Sequence, residues 1–584
     1  MAGLKDTDEE NEIISSSVAG ETKDHLSAPL GSRPRGGWRA IFYIIGNESF
    51  ERLASMGLVM NLSVYLKTKY NMYGVFLINV VSIWSGFCNI LPLLGAFIAE
   101  KFLGRFGTLL LGCSASFIGM TMMALTAGIA NLRPASCDTS QSQQDCPQPN
   151  AGHLSFLFMA LGLIAIGAGC IRPCCIAFGA DQFDATTEEG KKNMLSFYNW
   201  WYLSFTATLI IALSVIVYIQ TTISWVIGLA VPAALLAVSI IVFVIGLPTY
   251  VMIKPQGSVY SDLAKVVVSS IRKSSLRVRY DLDSGPNFYD PPIPESDPPI
   301  EKLPHTDRFP CFDKGCIIAN PSELNSEGFP ANRWRLCSLQ QVEQFKCFVS
   351  ITPVWISGIA CFLVMDQQNV NGILQAIQSN PAIGSSFQIP PGWLGLTGMF
   401  VLSIWIFFYE TVAPFASRRL CGKRCKRLTI NQRMNLGIVA SISAMAIAGI
   451  VEKRRREMAL SRSSFISPMS VAFLLPQFGL AGLVEAFAAI AILELLTSQV
   501  PMNLRTVGGA IYFSSLSIAS YLTSSIVSIV HSLSSRNGRT PWIGGPDLNS
   551  GRLDYYYYII AAMSVVNLVY FNLFAKNFLS SSRI

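Results

Sequence analysis

Charge and histidine are what this sequence has least of. Only 14% of its 584 residues are charged, against roughly 25% in a soluble domain, so most of the chain does not face water. None of the four histidines, His25, His153, His305 and His531, falls inside a long apolar run, His153 and His531 standing only at the ends of two of them, which excludes a histidine proton relay across an apolar layer. There is no HExxH, GxSxG or phosphate-loop motif. The usual signatures of zinc protease, serine hydrolase and nucleotide chemistry are therefore missing, and neither an enzyme nor a cofactor is expected.

What the chain has instead is apolar length. Hydrophobic residues make up 51% of it, in runs near the ~20 residues a helix needs to cross a hydrocarbon core. Candidate spans fall at 38–66, 75–100, 106–130, 153–179, 195–219, 222–250, 345–374, 392–413, 432–451, 468–496, 506–531 and 555–579. The expected fold class is an all-α membrane protein with twelve transmembrane helices in two six-helix bundles, 38–251 and 342–580. Residues 1–37, polar and acid-rich, read as a disordered cytosolic tail. Residues 252–341 read as a cytosolic linker, with helical periodicity from Val259 to Ile271 and a proline-rich stretch, GPNFYDPPIPESDPPIEKLP. The first part has the pattern of an amphipathic helix on the membrane surface, and two halves joined this way form a transporter layout. The net charge of +8 is spread in short clusters between spans, so the lipid bilayer and its anionic headgroups are the expected partners rather than nucleic acid.

Many of the fourteen cysteines, including Cys88, Cys113, Cys170, Cys174, Cys175 and Cys361, sit in apolar runs and behave as small hydrophobes. Cys311/Cys316 and Cys421/Cys425 have no histidine at zinc-site spacing, so no metal is expected. Cys137 and Cys146 share a polar loop and form a candidate disulfide if that loop is extracellular. Lys and Arg counts in short loops favour a cytosolic N-terminus, with the basic loop 414–431 also inside. The run EKRRREMALSR at 452–462 disagrees. Either the ninth span continues into water there or a span is misassigned.

A charge at mid-membrane costs at least ~2.5–3.5 kcal/mol, so ionisable residues inside spans are functional candidates. Glu48, Glu51 and Arg52 stand on one helical face, with Ser55 continuing the stripe. Two acids against one base leave a net negative charge in a low-dielectric site, where taking up a proton relieves it. The same triad could instead only fix helix packing. Arg172, in GAGCIRPCC, should face those glutamates or an anionic part of a substrate. In the second half Asp366 and Glu494 are candidates, with Glu494 the deeper one and Glu485 on a different face.

Several motifs together resemble the plant nitrate/peptide transporter family, a branch of the proton-coupled oligopeptide transporters in the major facilitator superfamily. They are the Glu48, Glu51, Arg52 signature, FGADQF at 178–183, FYNWWY at 197–202, TDRF at 306–309 and DLNSGRLDYYYY at 547–558. The resemblance runs from about Trp38 to the C-terminus. It implies alternating access between two bundles, with proton symport carried by Glu48, Glu51 and Arg52. By position it puts Arg172 at the basic fourth-helix site, Glu494 at the acidic tenth-helix site, and Lys346 and Trp355 at seventh-helix positions near the substrate.

Met365 stands where the best-known nitrate carrier has a nitrate-binding histidine, and a methionine offers no hydrogen-bond donor. Lys101 stands where that carrier has a regulatory phosphothreonine, so that switch should be absent. The IRPC and VIVYIQ runs are similar to the subfamily holding low-affinity nitrate carriers and transporters of glucosinolates and other glycosides. With Asp366 beside Met365 repelling anions, the expected cargo is a small organic solute, a glycosylated metabolite ahead of nitrate, moved with protons. A membrane sensor using the linker as output is the competing class. The plasma membrane is the default location; EENEII at 9–14 weakly resembles a sorting signal for the vacuolar membrane.

Overall fold

The computed structural model describes residues 36–135, 137, 146–184, 187–252, 259–275, 288–291, 302–326, 328–383, 387–409, 428–498, 505–538 and 540–581. The acidic tail, most of the proline-rich stretch and most of the basic loop 414–431 lie outside them.

Helix α1 runs Trp38–Lys69, α2 Gly74–Ile98, α3 Gly104–Gly128, α4 Ala151–Ala180, α5 Glu188–Ile211 and α6 Trp225–Ile245. The linker contributes α7, Val259–Arg272, the helix its periodicity predicts. The second half holds α8 Leu339–Gln367, α9 Leu394–Phe407, α10 Ile430–Ser461, α11 Leu475–Val484, α12 Arg505–Ser534 and α13 Leu553–Tyr570. Nine stretches of the described residues are long and apolar enough to cross a bilayer, one of them (Gly74–Gly128) containing both α2 and α3. Reading that stretch as two helices and adding α1 and the shorter α9 gives twelve crossings. The reversal between α2 and α3 falls at Gly104, whose φ of +70° only glycine adopts without strain.

Each half packs within itself: α3 against α4 and α6, α2 against α4, α9 against α11, and α10 against α13. Close packing needs small residues where backbones cross. A Cβ on Gly95 of α2 would meet the Gly169 carbonyl of α4 at 2.1 Å. That carbonyl lies four residues before Pro173, which has no N–H to offer it. Large apolar side chains such as Ile210, Ile241, Phe400, Ile404, Val566 and Leu573 are exposed on the outer faces, as suits helices whose solvent is lipid.

α10 is continuous to Ser461. The basic run 452–462 is thus an extension of the ninth span, the first of the two readings open from sequence. The halves meet along α2 and α12, where Asn79 Oδ1 accepts from Ser524 at 2.9 Å, Asn79 Nδ2 donates to Ser528 at 3.1 Å and the Tyr521 ring lies over Gly86. They also meet where Trp393, just before α9, donates to the Ser214 carbonyl at the end of α5 at 3.2 Å.

Candidate functional site

The signature on α1 comes together as its spacing predicts, but its two glutamates are not equivalent. Both are buried, 3% and 2% exposed. Glu48 is fully engaged: its Oε1 accepts from Arg52 Nη2 at 2.5 Å and Nε at 2.8 Å, and its Oε2 accepts from Trp201 Nε1 at 2.6 Å. The Arg52 guanidinium lies 4.5 Å from the Phe205 ring centroid and 5.5 Å from that of Trp201, two rings stacked on α5. Cation–π contact and two charge-assisted hydrogen bonds onto one carboxylate oxygen together fix the arginine. A small pocket between α1 and α5 is lined by Glu48, Ser49, Arg52, Trp201, Ser204 and Phe205.

Glu51 faces the other way. Its Oε1 is buried without a hydrogen-bond partner. Arg172 attracts it more strongly than Arg52 does. Arg172 in turn donates Nη1 to the Cys88 carbonyl at 3.2 Å and to Asn89 Oδ1 at 3.3 Å, both on α2. Arg172 thus spends these hydrogen bonds on α2 and acts on Glu51 through its charge, without an ion-pair contact between them among the described residues. One carboxylate is held by three donated bonds, and its neighbour one turn away is left with unused acceptor capacity in a dry setting.

FGADQF does a different job. Asp181 pairs with Arg105 of α3, and Gln182 Oε1 accepts from Val251 N at 2.9 Å while its carbonyl accepts from Gly37 N at 2.7 Å. The motif ties the start of α1 to the ends of α4 and α6.

In the second half the sequence candidates scatter. Trp355 donates Nε1 to Ser515 Oγ of α12 at 2.6 Å, and Met365 packs with it on the apolar core of that half. Asp366 accepts from Ser520 Oγ at 2.8 Å, and Ser520 reaches Ser85 of α2 at 3.4 Å, so Asp366 lies at the seam between halves with its Oδ2 buried and unpartnered.

Two expectations change. Glu494 is not the deeper acid: its side chain is 47% exposed and pairs with Arg433 of α10, midway along the helical segment Ile490–Ser498. Glu485 is the more enclosed one, beginning a π-helical segment, Glu485–Ala489, beside Tyr512. Lys346 does not line a cavity. Its ammonium lies 2.6 Å from Asp313 and 2.8 Å from Glu343, and donates to the Thr306 carbonyl at 2.7 Å. Its ammonium is thus engaged by α8 and the linker, with hydrogen bonds to Glu343 and the Thr306 carbonyl and an ionic contact to Asp313. His305 joins Asp313 at 3.4 Å, and Thr306 Oγ1 donates to Glu343 at 2.7 Å. The TDRF motif is where the linker docks on α8.

Cys137 and Cys146 are disulfide-bonded with Cα atoms 5.8 Å apart, as their shared loop suggests. Lys101 lies over the Phe97 and Phe102 rings at 5.2 Å. Sequence reasoning missed Trp201, although FYNWWY was noted as a motif; only a buried carboxylate's need for a donor could have singled it out. It also missed the buried pair Glu452 and Arg455, whose i, i+3 spacing was visible within the discordant basic run.

Comparison with known proteins bears on this geometry. Residues 106–543 match the POT family. Arabidopsis thaliana Protein NRT1/ PTR FAMILY 2.8 is 50% identical over 566 residues, covering 96% of this chain and 99% of the relative. Protein NRT1/ PTR FAMILY 2.13 of the same plant is 40% identical, covering 94% and 87%. Among solved structures, an auto-inhibited POT family peptide transporter superposes with a TM-score of 0.64 at 18% identity, covering 92% of this chain and 97% of that one. The POT family transporter PepTSo gives 0.64 at 17%, covering 93% and 98%. At these identities the structural likeness speaks to the fold, which is that of the major facilitator superfamily.

Proposed function

The chain belongs to the POT family of multi-pass membrane transporters, and on that premise we propose that it is a proton-coupled symporter working by alternating access, with Glu51 as the proton carrier. The observation that carries this is the contrast on α1: Glu48 is saturated with donors, whereas Glu51 keeps a buried oxygen without a partner beside Arg172. A proton on Glu51 weakens its attraction for Arg172, and loss of the proton restores it. Proton movement is thereby linked to the position of α4 relative to α1.

The cargo we propose is a small organic solute rich in hydroxyl donors, a glycosylated metabolite foremost. Asp366 at the seam is an acceptor that would repel an anion, Trp355 offers an apolar face, and Met365 donates nothing. One proton supplies ~1.36 kcal/mol per pH unit plus ~2.3 kcal/mol per 100 mV. Two pH units and 100 mV then give about 5 kcal/mol, enough for several-thousandfold accumulation of a neutral solute. Nitrate, whose own charge cancels the voltage contribution at one proton per anion, would need two. The observation favouring nitrate is Arg172, whose hydrogen bonds among the described residues go to a carbonyl and an amide oxygen rather than to a carboxylate. In the proposed orientation both termini are cytosolic and the protein resides in the plasma membrane, with the vacuolar membrane as the second location.

Expression in oocytes with uptake of nitrate and a glycoside panel at acidic and neutral external pH tests the reading. Acid-stimulated glycoside uptake is expected. No acid-stimulated uptake of any solute, with the protein at the surface, would refute symport, and nitrate uptake equal to that of glycosides would refute the cargo.

A further inference from the structure

The linker meets the second bundle at a cluster that the transport reading leaves without a task. Side chains on the first turns of α8 hold its backbone there. Gln340 accepts from Leu303 N at 2.9 Å and donates to the Leu303 carbonyl at 3.1 Å. One turn on, Glu343 accepts from Thr306 twice, from Oγ1 at 2.7 Å and from N at 3.2 Å, while Lys346 donates to the Thr306 carbonyl at 2.7 Å. Thr306 thus spends its hydroxyl, its amide and its carbonyl on α8. Around it Glu343 and Lys346 are each 3% exposed and Asp313 4%. Lys346 is shared between the two acids, so two carboxylates face one ammonium, with His305 3.4 Å from Asp313.

The stretch that carries Thr306 is nevertheless open to solvent. Residues 302–309 form neither helix nor strand, and Pro304, His305, Asp307 and Arg308 are exposed on either side of it. Thr306 itself is half-buried, its hydroxyl turned onto Glu343. In the proposed orientation this end of the molecule is cytosolic, the compartment of nucleoside triphosphates and protein kinases.

We propose that Thr306 is a phosphorylation site, and that its phosphate releases the linker from α8. The inference rests on the proposed orientation and not on symport. A kinase would join the γ-phosphorus of a nucleoside triphosphate to Oγ1 and break the bond from that phosphorus to the bridging oxygen. The nucleoside diphosphate leaves, and the hydroxyl proton passes to the kinase's own base. The product carries a charge of about −1.5 to −2 and presents acceptor oxygens where a donor stood. Glu343 Oε2 then loses its donor and faces an anion. Lys346, already shared by two acids, leaves the cluster with a still larger excess of negative charge. His305 and Arg308 belong to the linker and move with the phosphate, so pairing with them holds nothing to α8.

The test uses the full chain expressed in plant cells and purified in the presence of a phosphatase inhibitor. Peptide mass spectrometry should find phosphate on Thr306, and none at that position in Thr306→Val. Hydrogen exchange of residues 302–313 is then compared between the phosphorylated form and phosphatase-treated protein. The phosphorylated form should exchange at least about tenfold faster there, a modest share of what like charges in contact exchange when partly buried. Glu343→Gln, which keeps an acceptor for the hydroxyl and removes the charge, should shrink that difference. Should Glu343→Gln not be recovered folded, Asp313→Asn takes its place. No phosphate on Thr306, an exchange rate indifferent to the phosphatase, or an undiminished difference in the charge-removing variant overturns the inference. Labelling of the exposed Cys311 on intact cells by an impermeant maleimide, judged against Cys311→Ser, would place the linker outside and sink the orientation along with the inference. Failure with Cys311 protected in intact cells counts against Thr306 alone.

Discussion

The two halves of the molecule treat buried acids differently. In the N-terminal half each signature glutamate has a guanidinium in reach, Arg52 for Glu48 and Arg172 for Glu51. In the C-terminal half Asp366 is held by the Ser520 hydroxyl, with no guanidinium bonded to it, at a seam shared with α2. An acid facing an arginine changes its interactions most when its charge changes. An acid held by a hydroxyl keeps its hydrogen bond in either state. The first arrangement suits coupling to a proton, and the second suits recognition of a solute with donors of its own.

Substitutions that treat the halves unequally would break or sharpen that comparison. The largest effect is expected of Glu51→Gln. Concentrative uptake should collapse from the several-thousandfold limit toward equality, while downhill counterflow persists; uptake that remains acid-stimulated would remove Glu51 from the coupling role. Trp201→Phe strips Glu48 of its Oε2 donor and leaves a buried carboxylate oxygen unmatched, at a cost of about 1–3 kcal/mol. A fall in the thermal midpoint with acid stimulation retained would mark Glu48 as scaffold rather than carrier. Asp366→Asn should act on KM, raising it about tenfold for a hydroxyl-rich solute, the worth of one hydrogen bond to a charged group. A lost proton dependence with unchanged KM would erase the distinction between halves. The smallest effect belongs to Glu494→Gln, because exposed pairs are worth about 0–1 kcal/mol. Uptake should stay within about twofold, and a large loss would return Glu494 to the site.

Much of this was legible in the sequence because membrane helices advertise themselves by apolar length, and the Glu48–Arg52 stripe by its spacing. Two kinds of information were not. Counting residues at a constant 3.6 per turn fails where a helix widens: the π-helical segment Glu485–Ala489 lies between Glu485 and Glu494, and the acid expected to be deeper is the exposed one. Chain-distant partners were also invisible. Nothing local to Lys346 announces that Asp313 and Thr306 occupy its ammonium. Nothing in EKRRREMALSR tells which of its bases is buried, a question settled by Gln378 and Asn549.

That last pairing bears on how the protein is made. Gln378 is 77 residues from Arg455 along the chain and has been synthesised by the time Arg455 emerges, as has Glu452, whereas Asn549 is 94 residues further on. In the proposed orientation the basic run from Lys453 to Arg456 must also cross the membrane against the usual preference of such charges for the cytosolic side. Assembly of the second bundle therefore has a built-in order. α10 can be threaded early with Glu452 and Gln378 as provisional partners, but its arginine is fully housed only when the loop before the last helix arrives. A chain cut short of Asp547 should leave Arg455 without its Asn549 acceptor.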